Sequence, residues 1–307
     1  MTDPTVSIPE TRIRNQAVFF YLAPAAWIMY LFLLPSLFAS NRMIAVLYMI
    51  FPGLFLFTWI GYLMHECWHQ YVPNVNNRLM YHLLALMILT DPQLYHLIHG
   101  SHHSQVHTWN DSEFHPVGEI KSKGWRIVYN WFEFLFGVSF LMAVASVTVP
   151  RDPRFSGKYR RWKLFSSILL WTVFLCGVGY LSRHLFGTSV TDTVVSYVLM
   201  FWTGSFVLHQ SQLVEHGNLI VEGDFHRRNM RSRNLKPSGI AEKLFLFLTH
   251  NDSREHVLHH TLTNVYSRPF PGTVPLPEGA VMITLREYFQ ILQRMLAGRV
   301  DREVEAG

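Results

Sequence analysis

The sequence predicts an all-α integral membrane protein with four transmembrane helices and a helical cap on the cytoplasmic side. Three observations point there. Apolar residues make up 50% of the 307 residues and charged residues only 15%, against about a quarter charged in a soluble domain. Apolar runs of about twenty residues recur, the length that crosses roughly 30 Å of hydrocarbon as a helix. Basic residues gather between the runs, the pattern of cytoplasmic loops.

The elements follow in order. Residues 1–16 read as a cytoplasmic tail whose opening Met-Thr-Asp-Pro lacks a signal-peptide pattern. Residues 17–38 and 43–63 are the first two spans, parted by Ala39–Arg42 and therefore a hairpin. Pro35 and Pro52 are candidate kinks. Residues 79–90 are apolar but too short to cross, so they predict a buried or interfacial helix. Residues 127–149 are long enough to cross. The stretch from Arg151 to Lys163, however, holds six basic residues against Asp152 alone, and such loops stay cytoplasmic. Residues 127–149 are therefore expected to enter and return, or to lie in the interface. Residues 164–182 then cross outward and 192–208 cross back, with His184 on the far side.

A second basic stretch spans 222–236, and a short amphipathic helix is expected at 239–249. Pro269, Pro271, Pro275 and Pro277 mark an irregular loop. Residues 281–298 read as a final amphipathic helix, with Leu285, Tyr288, Ile291, Leu292 and Met295 on one stripe. The whole chain reads as one domain. Its net charge of +5 lies in the loops, so it reads as membrane orientation and headgroup attraction, with no nucleic-acid partner. Two cysteines, Cys67 and Cys176, form no CxxC pair, which excludes a thiolate metal site.

Eight histidines cluster as HxxxH (His65, His69), HxxHH (His99, His102, His103) and HxxHH (His256, His259, His260). Residues three and four apart share a helix face, so each box aims its imidazoles one way. Neutral imidazole is a ligand for zinc, copper, iron and nickel. Eight of them, with His216 in Leu-Val-Glu-His-Gly, exceed one tetrahedral metal and suit two metals in a shared site. The second ring nitrogens need acceptors. Asp111, Glu113, Glu215, Asp252 and Glu255 lie near enough in sequence to serve.

The order and spacing of these boxes around the apolar runs resemble the membrane fatty-acid desaturase and hydroxylase superfamily over roughly residues 45–270. The resemblance implies two non-haem irons at the cytoplasmic face, with the eight box histidines and His216 as ligands. It implies O2 as co-substrate and oxidation of an unactivated C–H bond in a lipid-like substrate. Fatty-acyl desaturation is the leading reading, and hydroxylation or ketolation of an alkyl or isoprenoid chain the alternative. His209 is an alternative to His216, and Asn251 resembles an asparagine that reaches the metal through water in some relatives. Its other reading is a turn residue. Trp68, Trp109, Trp202 and Phe206 are candidate tunnel liners. His82, His96, His107, His115, His226 and His250 are left outside the ligand set.

The chain carries no haem, flavin or iron–sulfur motif. Electrons are therefore expected from an external ferredoxin, rubredoxin or small cytochrome, with the basic stretches as a possible dock. Two readings compete. His65-Glu-Cys-Trp-His69 also fits HExxH, the signature of an intramembrane zinc metalloprotease with Glu66 as base. That leaves both HxxHH boxes without a role. A membrane haem or metal-transport protein would place histidines inside the spans, which hold almost none.

Overall fold

The computed structural model describes residues 10–70, 72, 74–261 and 275–304. The chain is mostly helical. In order the helices are α1 (Glu10–Ser40), α2 (Arg42–His69), α3 (Asn77–Met87), α4 (Pro92–Gln105), α5 (Lys123–Thr148), α6 (Arg161–Phe186) and α7 (Val190–His216). After β1 (Leu219–Val221) come α8 (Phe225–Met230), β2 (Arg233–Leu235), α9 (Ile240–Leu248), α10 (His256–Thr261), β3 (Val281–Ile283), α11 (Leu285–Leu296) and β4 (Asp301–Glu303). Pro269 and Pro271 lie outside the described residues.

Five helices are long and apolar enough to cross a membrane: Phe20–Ser40, Arg42–His69, Lys123–Arg151, Trp162–Phe186 and Val190–His216. Within α2, Pro52 has no N–H to give, and the backbone widens there into a π-turn at Met49–Gly53. The π-turn keeps the apolar run and the first histidine box on one continuous rod.

The bundle core is aromatic and neutral. Trp27 of α1 meets Phe57 of α2 and Phe201 of α7 edge-on, at 5.8 and 6.0 Å between ring centres. Its indole N–H donates to Met87 O at 3.0 Å. The Tyr197 hydroxyl of α7 donates to Leu31 O at 3.0 Å. Gly204 lets Phe57 lie against the α7 backbone, because any Cβ there would strike the ring.

Helix α5 is broken. Gly137 sits at φ 55°, ψ −138°, a conformation open to glycine and to few other residues. The chain folds back there: the rings of Tyr129 and Phe140 lie 5.1 Å apart, whereas eleven residues of straight helix would part them by about 16 Å. The break frees backbone groups, and α7 satisfies them. Ser205 Oγ donates to Phe136 O and accepts from Ser139 N, both at 2.8 Å. Trp202 Nε1 donates to Leu135 O at 2.8 Å. The first arm begins against the C-terminal segment, where Asn130 donates to Met295 O. The second ends on α4, with Ala145 and Val149 packed with Leu94 and Ile98. Both ends of α5 therefore lie on the side of the histidine boxes.

Two expectations are corrected. The structure is not purely α: β1 pairs in parallel with β4, and β2 with β3. The final helix is shorter than 281–298. The β-branched ends of Val281–Ile283 suit a strand, and a capping box between Thr284 and Glu287 starts the helix at Leu285. Its apolar stripe is buried at Tyr288, Ile291, Leu292 and Met295, against Leu213 and Val214 of α7.

Candidate metal centre

Local chemistry sets each histidine box. Asp91 caps α4 by accepting from Leu94 N at 2.8 Å, with Pro92 at the first helical position. The helix then turns His99, His102 and His103 inward. α7 ends at His216, where Gly217 stops the helix. His250 and Asn251 both adopt left-handed backbone, at φ 52° and 59°. That reversal re-aims the chain from α9 into α10, which carries the third box.

All eight box histidines and His216 converge. His65, His69, His99, His103 and His259 bring one ring nitrogen each within 4.8 Å of one another. His102, His216 and His260 form a second such group, and His256 joins it through Glu215 and His216. In the first group, His65 and His69 Nε2 are 3.2 Å apart, and His103 Nε2 is 3.1 Å from both His99 Nε2 and His259 Nε2. In the second, His216 Nε2 lies 2.7 Å from His256 Nε2 and 3.2 Å from His260 Nε2, with 3.1 Å between the latter two.

The opposite ring edges fix the tautomer of four of these rings. His99 Nδ1 faces Glu113 Oε2 at 2.7 Å and His102 Nδ1 faces Asp111 Oδ2 at 2.8 Å. His256 Nδ1 lies 3.3 Å from Glu215 Oε2. His260 Nδ1 donates to Asn229 Oδ1 at 3.0 Å, an oxygen oriented by the Asn229 amide donating to Phe225 O. These acceptors hold the ring proton on Nδ1. In these rings Nε2 then points a lone pair into the centre, where lone pairs repel unless a cation sits between them. Nitrogens about 2.1 Å from one metal at right angles are about 3.0 Å apart, close to the separations seen.

Burial keeps the third box neutral, whereas at His102 burial is outweighed by Asp111, which raises that imidazole. His256, His259 and His260 are pushed well below the ordinary imidazole range, first by burial and then by neighbouring imidazoles. Neutral imidazole is the form that ligates. Burial raises the Glu113 carboxyl to about 7 against the downward pull of His102.

Other residues singled out in the sequence are placed as follows. His209 lies outside both groups: Nδ1 faces Gln212 and Nε2 faces Glu133. Gln212 in turn donates to Glu113 at 3.4 Å. Asn251 is a left-handed turn residue whose N–H donates to Leu246 O. His96 accepts from Trp68 Nε1 and faces away from the centre. Glu255 pairs with Arg254. Two contributors, Asn229 and Glu133, have no sequence signal, because both lie far from any box. His107, with φ 59°, brings its ring to 5.1 Å from His216. His65 and His69 share their group with three imidazoles from the other boxes, unlike the three-ligand site of a zinc hydrolase.

A cavity reaches the imidazoles, lined by Tyr62, Met64, Ile88, Tyr95, Val138 and Leu208 beside the ligands. Of the aromatic liners expected, Trp68 packs on His103. Trp202 and Phe206 instead buttress α5, and Trp109 meets His115 with the rings tilted at 56°.

Neither the curated proteins nor the solved structures gave a match to this chain. A family model described as fatty acid desaturase matches residues 40–267, which carry every histidine of the centre. The chain belongs to the fatty acid desaturase family.

Proposed function

We propose that this protein oxidises an unactivated C–H bond of a lipid-like substrate with O2, most directly as a fatty-acyl desaturase. Two non-haem irons would be held at the cytoplasmic face, one by His65, His69, His99, His103 and His259, the other by His102, His216, His256 and His260. Five ligands at one metal exceed the four of a structural zinc, and imidazole-rich sites suit iron. Bound iron, with O2 and two electrons, supplies the redox power that acid–base side chains lack for an alkyl chain.

The residues around it have separable tasks. Glu113, Asp111, Glu215 and Asn229 fix the ring tautomers and aim Nε2 inward. Ile88, Val138 and Leu208 exclude water and align an alkyl chain beside the centre. Electrons would come from an external ferredoxin, rubredoxin or small cytochrome.

In this reading four helices cross the bilayer: α1, α2, α6 and α7. The two arms of α5 enter and return. At 1.5 Å per residue they are roughly 20 and 16 Å long, short of the roughly 30 Å needed. The basic Arg151–Lys163 stretch and all three boxes then share the cytoplasmic side.

The convergence of nine imidazoles from four stretches of chain into two groups, with Nε2 atoms 2.7–3.2 Å apart, carries the proposal. The test is lipid product analysis of membranes containing this chain and a reductase system. A new double bond absent from His259→Ala supports desaturation, and a new hydroxyl makes it a hydroxylase. No change with an iron-loaded protein and active donor would defeat the reading.

A further inference from the structure

The imidazole cavity does not end at the centre. A second, mostly apolar cavity adjoins it across Ile88, Thr90, Val138 and Leu208, which line both. This outer chamber runs between the second arm of α5 and α6. Met142, Ala143 and Ser146 line one side, and Leu164, Ile168 and Trp171 the other. Ala143 and Ile168, which line it from opposite walls, are also exposed on the outer surface. They therefore mark a mouth that opens sideways through the apolar belt. The reversal at Gly137 ends the second arm part-way along α7, and this arm and α6 make little contact. The stretch joining them carries Arg151, Arg154, Lys158, Arg160 and Lys163, with only Asp152 to offset them, and Asp152 is held by Arg154 at 2.5 Å. This basic stretch thus joins the two helices that wall the apolar slot.

We infer that this slot is a lateral portal, through which the acyl chain of an anionic membrane lipid slides from the bilayer to the histidine centre while its headgroup stays under the basic Arg151–Lys163 stretch. The inference builds on the proposed oxidation and names its substrate class: a chain still attached to a membrane lipid. An apolar chain loses no burial in passing from bilayer to an apolar chamber. Basic residues near the membrane surface attract anionic lipid. A soluble carrier would need a mouth on the aqueous face, whereas this mouth lies among membrane-facing side chains.

The test does not use catalysis. Full-length protein is reconstituted into phosphatidylglycerol vesicles doped with phosphatidylglycerol bearing a diazirine near its acyl terminus. After irradiation, labelled residues are mapped by peptide mass spectrometry. Label on Val138 and Leu208 is expected, with at least a tenfold drop there in Ala143→Trp while label on outer surfaces persists. Ile168→Trp, across the mouth, provides the same test should the first variant fold poorly. Label confined to outer surfaces, or inner label unchanged in both variants, would overturn the portal. Equal inner labelling by a phosphatidylcholine probe would overturn the anionic headgroup. Inner label on a protein that forms no oxidised product when iron-loaded and supplied with an active donor would sink the proposed reaction and leave the portal standing.

Discussion

The helical bundle and the histidine centre are both buried, yet they are held in opposite ways. Around Trp27, Phe57, Phe201 and Tyr197 the bundle closes on shape, apolar contact and a few neutral hydrogen bonds. Every group there is satisfied by another group of the chain. In the centre, eight box imidazoles and His216 bring ring nitrogens together in two groups at 2.7–3.2 Å, the spacing of ligands about one metal. The bundle is complete as folded. The centre gathers its imidazoles into two groups that could each hold a cation.

The contrast breaks most sharply under ligand loss. His259→Ala removes a nitrogen from the five-histidine group, and we expect it to abolish product formation and lower bound iron, with the helical content of the bundle retained by circular dichroism. Loss of helix along with iron would mean that the two regions are not independent. Trp27→Ala is the reciprocal experiment. It should cost about 3–5 kcal/mol of stability, read as a lowered unfolding temperature, while metal content per folded chain stays unchanged.

Acid sharpens the contrast next. His250 donates from Nε2 to Phe55 O at 2.9 Å, and burial lowers its pKa to about 4 from 6.5. Between those values the unfolded chain binds a proton that the folded chain does not. Its contribution is present above about pH 6.5 and is lost as pH falls toward 4, about 2 kcal/mol between pH 7 and pH 5. Thermal unfolding at both pH values should show a smaller acid loss in His250→Gln. The smallest effect is expected for Asn229→Ala, which leaves His260 a ligand but frees its ring. A loss of about 10–100-fold in metal affinity, measured by chelator competition, is expected.

Much of this was legible in the sequence because it is periodic. Apolar runs of membrane length and histidines at three- and four-residue spacing report their structure through local geometry alone. The charge of Arg151–Lys163 left α5 two readings, a return or a place in the interface, and Gly137 as the pivot of its reversal was not legible. A glycine announces no angle, and only Ser205 and Trp202 on α7 make the break tolerable. Asn229 and Glu133 were invisible because their roles come from tertiary contacts more than thirty residues away. The strands at Arg233–Leu235 and Val281–Ile283 are three residues long, too short for alternation to show.

Metal content tests the central claim most directly. Protein purified from iron-replete cells without chelators should carry two irons per chain by mass spectrometry of the elements, falling in both His259→Ala and His216→Ala. A folded protein holding one zinc, or no metal at all, would contradict the account.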